Sequence, residues 1–186
     1  MASLKTLNNE QLTARLRDPS TVRAAFNDVI KAFGEPLYWQ IRRLVGGHDD
    51  ANDILQNTFL KAWGSLENFR GEAKLSTWLY KIAINESLTF LERERRRASL
   101  SLDDEDAAGA ATIAAAADID GEELSARLAR AISTLPEKQR IVFNMKYFDD
   151  MKYEEMSEIL GTSVGALKAS YHLATKKIEQ FFEQDN

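Results

Sequence analysis

Apolar residues recur at spacings of three and four along almost the whole chain, while alternating strand-like patterns are scarce. This is the signature of helices that each bury one face. Asp18-Pro19-Ser20 predicts a helix start, with Phe26, Val29, Ile30 and Phe33 on its inner face. Gly34 and Pro36 predict an interruption, after which Leu37 to Val45 continues helically until Gly46-Gly47 stops it. Asp49 and Asp50 suit the N-terminus of a further helix running to about Trp63, because the helix dipole favours carboxylates there. A loop from Gly64 to Lys74 leads into a long helix from Ser76 to about Arg97.

The pattern breaks at residues 98–121, which are acidic, rich in alanine and free of aromatic residues. Such a segment has little with which to anchor a core and reads as a flexible acidic linker. Helical periodicity resumes near Glu122 with Leu124, Leu128, Ala131 and Ile132, and Pro136 opens the next helix where a missing N–H costs little. The expected fold is therefore all-α: two small helical domains, 18–97 and 122–186, joined by the linker 98–121.

Charge sharpens this division. The formal net charge is −5. Residues 1–97 carry 15 Lys and Arg against 12 Asp and Glu, residues 98–123 carry none against 8, and residues 124–186 carry 9 against 9. The acidic excess sits in the middle, so an acidic pI does not exclude nucleic-acid binding by the folded blocks. With no cysteine there is no disulfide frame, no thiolate metal site and no Cys nucleophile, and His48 and His172 lie far apart. Without an apolar leader or a run of eighteen apolar residues, a cytoplasmic protein with no membrane insertion is expected.

The last fifty residues carry the clearest motif. A helix from Glu137 to Tyr147, a second from Tyr153 to Leu160, Gly161 and a third helix follow in the order of a helix-turn-helix. Gly161 suits the turn because it takes positive φ without strain, and Thr162 or Ser163 can cap the third helix. In that helix Val164, Leu167, Tyr171, Ala174 and Ile178 form one inward stripe. Gly165, Lys168, Ala169, Ser170, His172, Thr175, Lys176 and Lys177 face outward, with small residues to allow close approach and cations for phosphates or base edges. A plain helical hairpin with a polar face would share this pattern.

Upstream, Asp50 to Trp63 places Ala51, Ile54, Leu55, Thr58 and Ala62 inward, and Leu60 on the opposite side beside Asp53, Gln56 and Asn57. A leucine among a carboxylate and amides is a candidate protein-docking patch, although single exposed leucines are common. From Asn68 to Glu86, Phe69, Trp78 and Tyr80 are interleaved with Arg70, Lys74 and Lys81. Aromatic faces beside cations are how proteins hold unstacked bases. Trp78 reads as core, and Phe69, on a loop beside Gly71, reads as functional.

These motifs, in this order, resemble the extracytoplasmic-function (ECF) sigma factors of bacterial RNA polymerase over nearly the whole chain. DANDILQNTFLKAW is similar to their polymerase-docking helix. NFRGEAKLSTWLYKIAINESLTFLERERRR is similar to their promoter-melting and −10-reading segment, both parts of the region 2 bundle. LPEKQRIVFNMKYFDDMKYEEMSEILGTSVGALKASYHLATKKI is similar to region 4, which reads the −35 element. The resemblance implies that Asp53, Gln56, Asn57 and Leu60 grip the β′ clamp of core polymerase. It implies that Phe69 and Asn85 border the pocket for a flipped −10 base, with Arg70 and Lys74 on nearby phosphates. Lys168, Ala169, Ser170, His172 and Lys176 would face the −35 duplex. Lys168 and Ser170 stand where arginine is common in the family, which leaves base preference open.

The implied partners are core RNA polymerase, through its β′ clamp and β flap, and promoter DNA. An anti-sigma factor is admitted as a regulatory partner, and no cofactor is implied. The linker carboxylates Asp103, Asp104, Glu105 and Asp106 would mimic RNA phosphates in the exit path. A conventional helix-turn-helix repressor or activator would account for the C-terminal third and leave the docking helix and aromatic loop unused. An enzyme finds no Gly-rich phosphate loop or nucleophile–base set in the sequence.

Overall fold

A computed structural model describes residues 9–69, 71, 73–101 and 123–184. Arg70 and the linker carboxylates at 103–106 lie outside the described residues. The described chain is all helical: α1 (Asn9–Arg17), α2 (Val22–Val45), α3 (His48–Gly64), a short 3-10 turn (Leu66–Asn68), α4 (Leu75–Ser101), α5 (Glu123–Ser133), α6 (Glu137–Tyr147), α7 (Tyr153–Leu160) and α8 (Val164–Gln184).

The long helix α2 departs from expectation. Pro36 lies inside it, and the helix runs unbroken from Val22 to Val45. An internal proline forfeits one backbone hydrogen bond and crowds the preceding turn, at about 3 kcal/mol. Phe33 and Leu37, on either side of it, are buried, as are Ile41 and Leu44. Each fully buried side chain of that size contributes about 1.5–3 kcal/mol, so the stripe outweighs the defect. The start of α2 matches the sequence: the Asp18 carboxylate accepts from the Ser20 N–H at 2.8 Å and the Ser20 hydroxyl at 2.7 Å.

Helix α1 is an element that the sequence periodicity did not reveal. It buries Leu12 and Leu16 and packs on α2 and against the 3-10 turn. Helices α3 and α4 complete the first bundle around α2. His48 is tied up structurally, with Nδ1 at 2.7 Å from the Tyr38 hydroxyl and Nε2 at 3.1 Å from the Asn52 amide.

The C-terminal helices form as read. Gly161 closes α7 at φ 63°, in the left-handed region. Ser163 caps α8, its Oγ accepting from the Ala166 N–H at 3.3 Å. Of the expected inward stripe, Leu167, Ala174 and Ile178 are buried, and Val164 and Tyr171 half-buried. Leu167 joins Ile141, Val142, Met145, Met156 and Ile159, whereas Ala174 and Ile178 pack with Ala131, Ile132, Leu135 and Phe143.

The two bundles are not independent beads. The cluster holding Met145, Met156 and Leu167 is continuous with that of Leu37, Ile41, Leu79 and Ile84. Helix α4 packs on α7, and α2 on α6.

Nothing stands within 4 Å of a Cβ built on Gly161, so the cost of Gly161→Ala is backbone strain alone. It should lower stability by about 1 kcal/mol, with Gly161→Asn costing less, as measured by thermal denaturation.

Candidate functional site

Three outward faces emerge from this packing. The first lies on α3. Ala51, Ile54, Thr58 and Ala62 are buried against the bundle, together with Phe59. Helical geometry then turns Asp53, Gln56, Asn57 and Leu60 outward, and all four are exposed. Leu60 retains 62% of its accessible surface, and Trp63, one turn on, 42%. A leucine and an indole flanked by amides and a carboxylate form a face suited to another protein. Trp63 is a member that periodicity missed; its ring meets Phe26 edge-on at 5.0 Å while part of it stays in solvent.

The second face surrounds the loop between α3 and α4. Here the structure reverses one expectation about burial. The Phe69 ring is buried and packs against Trp78, their centroids 4.9 Å apart, while Trp78 is only half-buried. Gly71 takes φ 73°, and a Cβ there would stand 3.2 Å from the Thr13 methyl of α1. The close approach of α1 and the left-handed backbone together explain a glycine at this point. Lys74 and Asn85 are exposed. Lys74 is not free, since its Nζ lies 2.5 Å from the Glu155 carboxylate of α7, which raises the lysine pKa and lowers that of Glu155. Tyr80 is buried rather than presented to solvent, and burial pushes its hydroxyl pKa up.

The third face lies on α8. Lys168, Ala169, His172 and Lys176 are exposed, and Ser170 is half-buried. Lys168 Nζ lies 5.7 Å from the centre of the Tyr153 ring, which gives this cation a resting position over an aromatic face. Gly165 sits in open space on the same helix. The result is a convex helix bearing cations and small residues and supported from behind by α6 and α7.

One contact between the N-terminal bundle and the C-terminal block has no local sequence signal. Arg43, at the end of α2, reaches Asp149, just beyond α6, with Nη2 to Oδ1 at 2.9 Å. The guanidinium also lies 4.4 Å from the centre of the Phe148 ring. Both charged side chains are largely buried, at 18% and 13% exposure. Burial lowers the Arg43 pKa, and it raises the Asp149 carboxyl to about 6 despite the nearby cation. Asp149 Oδ2 and Arg43 Nε have no protein partner. A groove of about 1010 Å³ opens beside the pair, with Trp39, Leu128, Ile132 and Asn144 among its walls.

Comparison with known proteins shows the family. The family model for Sigma-70 region 2 matches residues 29–97, and that for Sigma-70, region 4 matches residues 125–178. The chain is 33% identical over 159 residues to the ECF RNA polymerase sigma factor SigW of Bacillus subtilis, covering 80% of this chain and 83% of that one. It is 29% identical to the ECF RNA polymerase sigma-E factor of Haemophilus influenzae, over 93% of this chain and 94% of that one. Two solved structures share the fold at a TM-score of 0.70. One is the sigma factor RpoE in complex with the anti-sigma factor NepR from Bartonella quintana, at 23% identity over 87% of this chain and 98% of that one. The other is CnrH in complex with the cytosolic domain of CnrY, at 24% identity over 96% and 99%. This chain belongs to the ECF sigma factors, non-catalytic subunits that direct RNA polymerase in promoter recognition and initiation.

Proposed function

We propose that the three outward faces divide the work of initiation, with α3 holding core polymerase, the loop before α4 capturing a −10 base, and α8 reading the −35 duplex. The observation that carries this is the exposed cationic face of α8, where Lys168, Ala169, His172 and Lys176 stand clear of the core. Region 4 of the family matches these residues. An α-helix fits the major groove, small side chains let it approach, and cations supply the phosphate term of affinity.

In this assignment Asp53, Gln56, Asn57 and Leu60 meet the β′ clamp, and region 4 meets the β flap. Asn85 and Lys74 border the −10 strand, and Arg70 joins Lys74 on its phosphates. The buried position of Phe69 gives it a specific part: its ring fixes the loop against Trp78, so that the loop backbone is rigid when a base swings out. Extruding that base costs a few kcal/mol, which a pre-formed pocket offsets. Asp103 to Asp106 line the RNA exit path. An anti-sigma factor, of the kind bound to the similar RpoE of Bartonella quintana, would act by covering these faces. The family works in the bacterial cytoplasm, and no helix among the described residues is long and apolar enough to cross a membrane.

Run-off transcription with purified core polymerase and a pool of random promoters tests the whole assignment: activity with a recoverable pair of −35 and −10 sequences is expected, and absence of activity overturns it. Leu60→Asp should abolish copurification with core polymerase while leaving stability within about 0.5 kcal/mol, because the residue is exposed. Lys168→Ala should weaken −35 binding and reduce the slope of log affinity against log salt by about one, as measured by anisotropy at several salt concentrations. Phe69→Ala should cost about 3–5 kcal/mol of stability in chemical denaturation. Phe69→Leu keeps the region folded but removes the ring that packs on Trp78 and fixes the loop, so permanganate footprinting of that variant should show slower melting with core binding intact.

A further inference from the structure

Helices α2, α5 and α6 each turn one stripe of side chains toward the groove of about 1010 Å³. From α2 come Trp39, Arg42 and Arg43, and from α5 come Leu128 and Ile132, each set at the three-and-four spacing that shares one helix face. The Phe148 ring, just past α6, continues the wall. Most of this wall is apolar, and its volume lies at the upper end of the range for small-molecule sites. Trp39 and Phe148 each keep 42% of their surface in solvent, an exposure that folding alone leaves unrelieved.

The polar residues that α6 contributes to the groove are Arg140 and Asn144, one turn apart on the same side of the helix. Asn144 has no exposed surface, and neither its Nδ2 nor its Oδ1 meets a partner among the described residues. Arg140 is 5% exposed, and its Nε is likewise unmatched among them. Glu137, one turn earlier on α6, is held by Arg95 of α4 instead. Burial lowers the Arg140 pKa, which records the cost of holding this cation away from water. Buried polar groups in folded proteins are paired, so an amide and a guanidinium left open toward one groove mark where another molecule supplies the partners. Asn144 calls for both an acceptor and a donor, and Arg140 for an anion whose oxygens suit its planar fork. Among the groove's walls Arg42, Arg43 and Arg140 stand against one carboxylate, Glu35, while Asp149 is already matched to Arg43. The local field therefore favours a negative ligand group. Water can satisfy the polar groups, but only an apolar body gains from covering Trp39, Leu128, Ile132 and Phe148.

We propose that this groove is a binding site for a small amphipathic acid: its carboxylate is held by Arg140, an amide beside the carboxylate pairs with Asn144, and an apolar tail lies along Trp39, Leu128 and Ile132. The site goes beyond the assignment of the three outward faces, since none of its groups is used by them. Neither polymerase nor promoter enters its test, so its outcome is separate from that of run-off transcription.

N-decanoylglycine is a suitable probe, because it joins a carboxylate, an adjacent amide and a straight acyl chain. Calorimetric titration of the full-length chain at neutral pH should show saturable binding at one site, and the probe should raise the melting temperature. N-decanoylglycinamide, which lacks the charge, and N-acetylglycine, which lacks the tail, should each bind about 10-fold more weakly or worse. Arg140→Gln should weaken the probe by about 10-fold or more, with circular dichroism checking that the helices remain. Asn144→Leu should also weaken it, and without probe its melting temperature should stay level or rise, because two unmatched buried atoms are replaced by an apolar group of similar branched shape. An Asn144 with a merely structural role would give the opposite pair, a lower melting temperature and unchanged binding, and that result overturns the proposal. Non-saturable uptake of the probe, or binding indifferent to both substitutions, reduces the signal to tail adsorption on exposed apolar surface and overturns it too. Tight binding of a synthetic peptide of residues 98–121 with none of the probe would assign the groove to this chain's own segment and overturn it equally.

Discussion

Burial of one long stripe of α2 is the constraint from which the rest of the structure follows. Ala25, Phe26, Val29, Phe33, Leu37, Ile41, Leu44 and Val45 all leave solvent on a single helix. That stripe is too long and too wide for one neighbour. Helices α1, α3 and α4 share it, and α6 of the C-terminal block also packs on α2. The stripe is strong enough to hold an internal proline in line. It also dictates which faces of its neighbours remain in water. Because α3 must bury Ala51, Ile54, Thr58 and Ala62 against this bundle, its opposite face is left with Leu60, and an exposed apolar side chain is a by-product of how the core is filled.

The same logic governs charge. A chain with a net charge of −5 is an unlikely partner for DNA by bulk electrostatics alone. Screening confines the field of exposed charges to about 8–10 Å, so what a duplex meets is the local face. On α8 that face carries Lys168, His172, Lys176 and Lys177 without an acidic residue between them. Segregating the carboxylates into residues 98–123 keeps them in a separate stretch of chain from the reading helices. Lys74 shows the other side of this economy: an exposed cation, proposed above for the −10 strand, is also available to an internal carboxylate, here Glu155.

How far the fold could be read from the chain depends on whether each feature is local. Gly161, the Ser163 cap and the three-and-four spacing of α8 are set by neighbours within a few residues, and each is where the pattern put it. The outward set on α3 is legible for the same reason. Interruption at Pro36 was expected from intrinsic propensity, and tertiary burial overrode it. Helix α1 is short, and only Leu12 and Leu16 anchor it with apolar side chains, too little periodicity to stand out. Phe69 and Trp78 exchanged their expected burial because a loop aromatic points wherever the adjoining helices leave room, which spacing does not encode. Arg43 and Asp149 are 106 residues apart in sequence, and no local pattern links them.

That a charged pair, rather than two leucines, occupies this junction has a physical sense. The apolar cluster that runs from Leu37, Ile41 and Leu79 to Met145 and Met156 already holds the regions together by burial. A buried ion pair is different. Desolvation of Arg43 and Asp149 consumes most of their mutual attraction, as the raised carboxyl pKa and the unpartnered Asp149 Oδ2 both record. Such a contact contributes little net stability and yet is selective, because neither charge tolerates the buried position without the other. It fixes the geometry of the junction, while the apolar cluster around it supplies the strength.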